Sequence, residues 1–361
     1  MASIPRSFDA RTTQPPISGI SYISKSIPTN TATCKAGSTV FFRLPGGLPT
    51  SYLANMDSFI KYTVKNKRDD GNNLTLSPAG GAGLIERLRV SQNSAVLSEQ
   101  TNYGAYRALE QSLTSDNSYL SGMGNAINGT VDHEVGETIN AGESRTFIEP
   151  LCHQGSLFGQ SKVIPLKGQA LEYAVTFGSY NYGCKWVNAG ATNNDLEIDS
   201  IEIVLNIIQL SDESEAMVAS LGDWSVLAKG VATVNSSVSA GVGGHTANVG
   251  ASYSQVLAVQ WVQTDNSASV NHDTALVNTD FIKNNVERWG FSIDGVLVEA
   301  QKLVKADTAE LVAMSAVDGG FLSKVQGVPE SLSKAHIEGE EGSTNVFTMS
   351  LELFQRCTTP G

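Results

Sequence analysis

Three side chains that could carry chemistry lie close together in the sequence: Cys152, His153 and Ser156. A cysteine thiolate is a nucleophile, a neighbouring histidine could act as its general base, and both residue types bind metal ions. Adjacent residues of an extended strand point to opposite faces, however. Cys152 and His153 would therefore not easily meet as a catalytic pair.

The residues around this trio favour a connection between two strands. Apolar residues predict strands over 145–151 and 162–166, and the glycines between them suit a loop that adopts positive φ angles. We expect Cys152 to Phe158 to form that loop and to serve in packing or in contacts between subunits. We predict no catalytic residue here.

Metal sites need several His, Cys, Asp or Glu side chains close together. The chain offers isolated pairs and short acidic runs, which we interpret as solvated loops or linkers: His133 with Glu134, His272 with Asp273, residues 212–215 as a linker between domains, and residues 338–341. No EF-hand spacing is present. We therefore predict no bound metal and no cofactor.

Two glycine-rich stretches resemble phosphate-binding loops only superficially. Residues 241–250 contain no GK[ST] sequence and precede no predicted helix, and residues 80–83 run directly into a predicted strand. The signatures GxSxG, HExxH and CxxC are also absent from the sequence. These observations argue against an enzyme.

Three tryptophans, Trp224, Trp261 and Trp289, lie in predicted strands. Large aromatic side chains in strands usually pack in a core, which is our interpretation here. The functional alternative is a sugar-binding platform.

Composition indicates an all-β protein. The 361 residues are 41% hydrophobic and 17% charged, which suits two or three globular domains. Glycine is abundant at 34 residues, and long helical patterns are scarce. The net charge of −12 makes general nucleic-acid binding improbable. The first thirty residues are a local exception, because they contain the basic residues Arg6, Arg11 and Lys25 and only one acidic residue, Asp9.

The sequence begins without a signal peptide, since 1–16 lacks an apolar core, and no run of apolar residues has the length of a membrane span. The four cysteines are widely spread and suggest reduced thiols. We expect synthesis in the cytoplasm.

The pattern along the chain divides it into three parts. Residues 1–35 are rich in Pro, Ser and Thr and predict an extended arm that becomes ordered only against another surface. Residues 36–212 alternate short apolar runs with turns, and contain one predicted helix near 101–113 and a Gly/Asn-rich loop over 115–142. Residues 213–361 repeat this organisation, with strands from Trp224 onward and a second helix from about Asp307.

An internal repeat supports two similar β domains. IERLRVSQNSAVLSE (85–99) aligns without a gap with VERWGFSIDGVLVEA (286–300), and Asn93-Ser94 then matches the predicted hairpin turn Asp294-Gly295. The two predicted β domains also end in similar strands, because SIEIVL (200–205) is similar to SLELFQ (350–355).

The order of these motifs resembles a known family. The similar stretches are GLIERLRVSQNSAVLSEQTNYGAYRAL (83–109), RTFIEPLCHQGSLFGQSKVIPL (145–166), GASYSQVLAVQWV (250–262), and WGFSIDGVLVEAQKL (289–303) followed by AELVAM (309–314). They resemble the double jelly-roll major capsid proteins of the PRD1–adenovirus lineage. The motifs mostly encode strands and turns, so their order carries the resemblance.

The resemblance implies an all-β fold of two tandem eight-stranded jelly rolls (a double jelly roll) with short helices in loops. It also implies a homotrimer of pseudo-hexameric shape that tiles an icosahedral shell in the virion, with penton and minor capsid proteins as partners. The basic arm would face inward, where Arg6, Arg11 and Lys25 could contact an internal membrane or the genome without specific nucleic-acid recognition. The alternative function is a trimeric receptor- or glycan-binding head of a viral fibre or spike.

Overall fold

Short apolar runs separated by Gly, Asn and Pro dominate the first 210 residues, and the strands follow these runs. The computed structural model describes residues 19–350, with gaps at 116, 133, 155–156, 160–161, 169, 221–229, 240, 251–257, 267–270, 277, 280–286, 294–295, 298–303 and 306–346. The strands of the first part are β1 (Gly19–Ser26), β2 (Cys34–Lys35), β3 (Thr39–Arg43), β4 (Ser51–Asn66), β5 (Leu74–Leu76), β6 (Ile85–Gln92), β7 (Ala95–Thr101), β8 (Thr138–Ile139), β9 (Ser144–Pro150), β10 (Ile164–Pro165), β11 (Glu172–Phe177), β12 (Cys184–Trp186) and β13 (Leu196–Leu210).

Two antiparallel sheets form the first part. One has the order β1-β13-β4-β10, with β2 also pairing with β13 and β9 also pairing with β4; the other has the order β3-β11-β6-β7. Counting β1 with β2 and β9 with β10 as single interrupted strands gives eight strands. Their connections alternate between the two sheets except at the β6–β7 hairpin, which is the jelly-roll arrangement.

The inward-facing side chains of both sheets form one hydrophobic core. Its largest fully buried side chains are Trp186, Tyr62, Tyr103, Tyr173, Phe42, Phe147, Phe158, Phe177, Leu44 and Leu53. Aromatic rings meet edge to face across it, as in the pair Phe158 and Tyr173, whose centroids are 5.7 Å apart. A small sheet of β12, β5 and β8 adds to one side of the roll.

The predicted arm over 1–35 is wrong for its second half. β1 pairs along its whole length with β13, from Gly19 opposite Leu210 to Ser26 opposite Ile203, and β2 pairs with the same strand. The sequence misled because most β1 side chains are exposed, so the segment has no amphipathic pattern. Backbone pairing with β13 at eight positions holds β1 in place, rather than the burial of one face. The residues before Gly19 lie outside the described part of the chain.

The helices lie in connections, as expected. The predicted helix is α1 (Tyr103–Thr114), whose buried residues include Tyr103 and Leu109. The predicted loop over 115–142 is partly helical: α2 (Asn117–Tyr119), a π-helical turn (Leu120–Gly124) and α3 (Asn125–Asn128) occupy it. Side-chain to backbone hydrogen bonds, which composition does not reveal, order this segment; Thr130 Oγ1, for example, donates to the Leu120 carbonyl at 2.8 Å.

The acidic run at 212–215 begins helix α4 (Asp212–Ser220), which follows β13 directly; its interpretation as a linker between domains stays a prediction. Carboxylates in the first turn suit the positive end of the helix dipole. The hydroxyl of Tyr52 donates a 2.6 Å hydrogen bond to Glu215 Oε2 and fixes α4 to β4. No helix in the described ranges is both long and apolar enough to span a bilayer.

The second part contributes six described strands in three two-stranded pairs. They are β14 (Ala258–Trp261) with β19 (Phe347–Ser350), β15 (Arg288–Trp289) with β18 (Val304–Lys305), and β16 (Ser292–Ile293) with β17 (Val296–Leu297). Ile293 pairs with Val296, as the predicted hairpin requires. The strand expected through 230–234 is absent, because these residues have no regular structure. The helix expected from Asp307 lies outside the described residues.

Candidate functional site

The Cys152-His153 pair lies between β9 and β10, which confirms the predicted connection, although Ser156 is outside the described residues. The pair belongs to a 3-10 turn (Leu151–His153), not to an extended strand. Phe158 further along is buried, and its carbonyl accepts a 2.5 Å hydrogen bond from the Asn55 side chain. Packing against the core therefore positions this connection.

A buried carboxylate lies beneath the turn. Glu149 of β9 faces inward and accepts hydrogen bonds from the hydroxyl of Tyr103 and, at 3.2 Å, from Asn128 Nδ2. Arg107 Nε of α1 is 3.4 Å from Glu149 Oε1, and the same arginine pairs with Glu110. The alternation of β9 and the helical spacing of Tyr103 and Arg107 bring these groups together.

His153 completes this cluster. Its Nδ1 lies 3.0 Å from Arg107 Nη2 and 3.4 Å from Glu149 Oε1. We call Tyr103, Arg107, Glu110, Asn128, Glu149 and His153 the charge cluster. It joins α1, α3, β9 and the 3-10 turn.

Electrostatics stabilise the ionised forms of the central pair. Burial alone would raise the pKa of Glu149, but the charge of Arg107, together with the Tyr103 hydroxyl, holds that pKa below its usual value. Burial opposes the charge on Arg107, and the carboxylates of Glu149 and Glu110 outweigh it and raise the pKa of the guanidinium. An ion pair persists because each partner compensates the other's lost hydration.

The surroundings of the charge cluster also disfavour the reactive thiolate form of Cys152. Burial, and then the negative charge of Glu149, raise the pKa of the Cys152 thiol. Nucleophilic cysteines need the opposite shift, because the thiolate is the reactive form. The arrangement therefore fits a structural role, in which the charge cluster joins neighbouring elements, better than an acyl-transfer site.

The other predicted polar candidates have varied positions. His133 lies outside the described residues, whereas Glu134 and His272 are exposed, as loop residues should be. Asp273 is different: its carboxylate accepts a 2.7 Å hydrogen bond from the Tyr180 hydroxyl and a 3.0 Å bond from the Gly190 amide. The prediction that it is a solvated loop residue is wrong, because it ties the second part of the chain to the first.

Within the residues that the structure describes, no three His, Cys, Asp or Glu side chains cluster in a way that could hold a metal ion. Residues 80–83 form a buried 3-10 turn that leads into β6, as predicted. A Cβ at Gly104 would lie 2.3 Å from the Gly83 carbonyl oxygen, so this glycine serves close backbone packing.

Among the three tryptophans, Trp289 packs as the core interpretation predicts. Trp289 is buried and its ring meets Phe291 edge to face at 5.5 Å between centroids. Trp261 is half-buried in β14, and Trp224 lies outside the described residues.

Two edge strands, β1 and β7, carry exposed apolar side chains, which sequence reasoning missed. β1 and the residue that follows it expose Ile20 (65%), Ile23 (69%) and Ile27 (71%). At the edge of the other sheet, β7 exposes Val96 (47%) and Leu97 (51%). Unpaired edges with apolar side chains invite pairing with another chain. The sequence contained one signal of this exposed surface, namely a short strand with apolar side chains on both of its faces.

Comparison with known proteins assigns the fold of most of the chain. The structure matches the quasi-atomic model of the PBCV-1 virus capsid with a TM-score of 0.55 over 93% of this chain and 78% of that chain, at 13% sequence identity. The chain has a double jelly-roll fold.

Two weaker likenesses accompany this one. PBCV-1 VP54 fitted into the virophage Sputnik matches with a TM-score of 0.41 and 12% identity, over 57% of this chain and 46% of that chain. The Sputnik virophage structure matches with a TM-score of 0.36 and 9% identity, over 58% and 52%. The chain thus spans about half the length of these two proteins, and neither likeness carries an argument here. No protein-family model matches the chain, and no curated protein matches it.

The double jelly roll explains the placement of the sites. The charge cluster lies inside the first roll, where it joins a helix to the sheet, whereas the apolar side chains lie at the edges of both sheets. A surface that self-associates should carry exposed apolar side chains, as these sheet edges do.

Proposed function

We propose that the protein is a viral major capsid protein, whose function is structural and not catalytic. The observation that carries the proposal is the likeness to the PBCV-1 capsid structure across nearly the whole chain. The raised pKa of Cys152 gives further support, because it disfavours the one candidate nucleophile with an adjacent histidine.

The proposed assembly unit is a homotrimer. Two tandem rolls in each of three chains would give six similar units around one axis, and such a pseudo-hexameric block can tile the facets of an icosahedral shell. In the trimer, neighbouring chains would cover strand edges that are exposed in the single chain. The isoleucines of β1 and the Val96-Leu97 pair of β7 are suitable for an apolar contact of this kind.

Additional partners of the shell would be penton and minor capsid proteins. A contact between the N-terminal residues and the genome or an internal membrane would depend on Arg6 and Arg11, which lie outside the described residues. Lys25 is less suited to that role, because it belongs to β1 and its Nζ lies 3.6 Å from Glu202 of β13. Specific nucleic-acid recognition is not part of the proposal, since the net charge is −12.

Light scattering coupled to size exclusion, with negative-stain imaging of the same peak, tests the proposal. We expect a mass near that of three chains and particles of roughly hexagonal outline. A stable monomer that binds glycans and never forms trimers or shells would contradict the proposal. It would favour the receptor- or glycan-binding head instead.

A further inference from the structure

One imidazole nitrogen of the charge cluster faces two partners with opposite requirements. His153 Nδ1 is 3.0 Å from Arg107 Nη2 and 3.4 Å from Glu149 Oε1. A guanidinium only donates hydrogen bonds, and an ionised carboxylate only accepts them. A single nitrogen cannot satisfy both at once, so its protonation state decides which partner it binds.

The shorter contact defines the neutral state. For Arg107 to donate to Nδ1, that nitrogen must carry a lone pair, which places the ring proton on Nε2. The imidazole then links α1 to the 3-10 turn that begins the β9–β10 connection. A proton added at Nδ1 removes the lone pair and sets an N–H against the N–H of Arg107. The same proton gives Glu149 Oε1 a donor without any change in the chain path.

The charges around the imidazole favour this exchange of partners. Helix α1 contributes Arg107 and Glu110, β9 contributes Glu149, and the neighbouring ionisable groups are the Tyr103, Tyr119 and Cys152 side chains. With neutral His153, one guanidinium faces two carboxylates. Protonation supplies the second positive charge, so the cluster becomes electrically balanced.

We infer that His153 is a proton-responsive latch between α1 and the β9–β10 connection. Neutral His153 accepts from Arg107 and ties the connection to the helix. Protonated His153 donates to Glu149, on its own side of the contact, and releases the helix. Lowering the pH from mildly alkaline to mildly acidic would loosen the connection while the fold persists, because the Arg107–Glu149 ion pair stays intact.

Nitrogen-15 NMR of histidine-labelled protein tests the first half of this inference. At the alkaline end of the range, the His153 ring should show an unprotonated Nδ1 and a protonated Nε2. A ring protonated on Nδ1 under those conditions would overturn the inference, since it could not accept from Arg107. This measurement uses the unmodified chain, so it does not depend on the folding of a variant.

Hydrogen exchange followed by mass spectrometry tests the second half. The protection factor of the amides in 151–154 should fall in the unmodified protein as the pH is lowered over this range, in which histidine side chains gain a proton. H153Q keeps an acceptor for Arg107 but gains no proton, so its protection should be constant over the range. H272Q, which changes an exposed histidine, should behave like the unmodified protein. A fall of equal size in H153Q would overturn the latch.

Discussion

At the scale of single residues, Glu149 is a buried carboxylate whose charge the fold has to compensate. It lies buried with Arg107, so each charge depends on the other for stabilisation. We expect E149Q to lower the free energy of unfolding by about 3 kcal/mol, since the buried guanidinium would lose its buried counter-charge and keep only the partly exposed Glu110. Urea denaturation at neutral pH measures this change.

The matched control is E134Q, because Glu134 is exposed. It should change the free energy of unfolding by less than about 0.5 kcal/mol. The contribution of Glu149 should also depend on pH in a defined direction. Its pKa is depressed in the folded state, so its stabilisation is present above an unfolded pKa of about 4.3 and is lost as the pH falls through the folded value. A difference between E149Q and the unmodified protein that grows below pH 4 would contradict this account.

A second prediction concerns the contact between the two parts of the chain. The Tyr180 hydroxyl donates to Asp273, and this hydrogen bond, ahead of burial, raises the pKa of the phenol. Y180F removes the bond and should cost about 1 kcal/mol. The expected readout is faster hydrogen exchange in residues 271–276, with H272A as the control. Unchanged exchange there would show that the other contacts of Asp273 suffice.

At the scale of elements, close backbone packing fixes where α1 crosses the turn before β6. A Cβ at Gly104 would lie 2.3 Å from the Gly83 carbonyl oxygen, and that backbone cannot move without disturbing the core. We expect G104A to reduce the melting temperature strongly or to prevent folding. G122A is the control, because its Cβ would meet nothing within 4 Å. Similar melting temperatures for both variants would disprove the assigned crossing.

Most elements of the first roll were predictable from the sequence because local rules decide them. Alternation identified β6, the turn Asn93-Ser94 has positive φ at both residues, and helical spacing identified α1. β1 was not predictable, since its partner is far away in the sequence and it buries almost no side chain. The charge cluster was missed for the same reason: Arg107 and Glu149 look like ordinary surface charges until the fold brings them together.

The N-terminal strand offers a further test at the element scale. A chain that begins at Gly19 keeps β1 and its pairing with β13. A chain that begins at Ile27 loses the partner of β13 over eight positions, so its exposed edge should promote aggregation. Light scattering under identical conditions compares the two. Equal behaviour would show that β1 contributes little to the sheet.

At the scale of the whole molecule, the net charge of −12 and the exposed apolar edges act in opposite directions. Like charges keep separate chains soluble, whereas apolar edges favour association at defined places. Because salt screens the repulsion, trimers or larger assemblies should become more stable as the ionic strength rises. Sedimentation at low and high salt measures this, and dissociation by added salt would point to ionic interfaces instead.

The position of β13 in the first sheet has a consequence for biosynthesis. This strand pairs with β1, β2 and β4, so the sheet closes only after its last strand has been synthesised. Contacts between such distant segments slow folding, and the unpaired strands remain open to other chains meanwhile. The sheet of a nascent chain would thus stay incomplete on the ribosome until residues 196–210 emerge. Chaperones that shield apolar strands during translation should therefore raise the yield of folded protein.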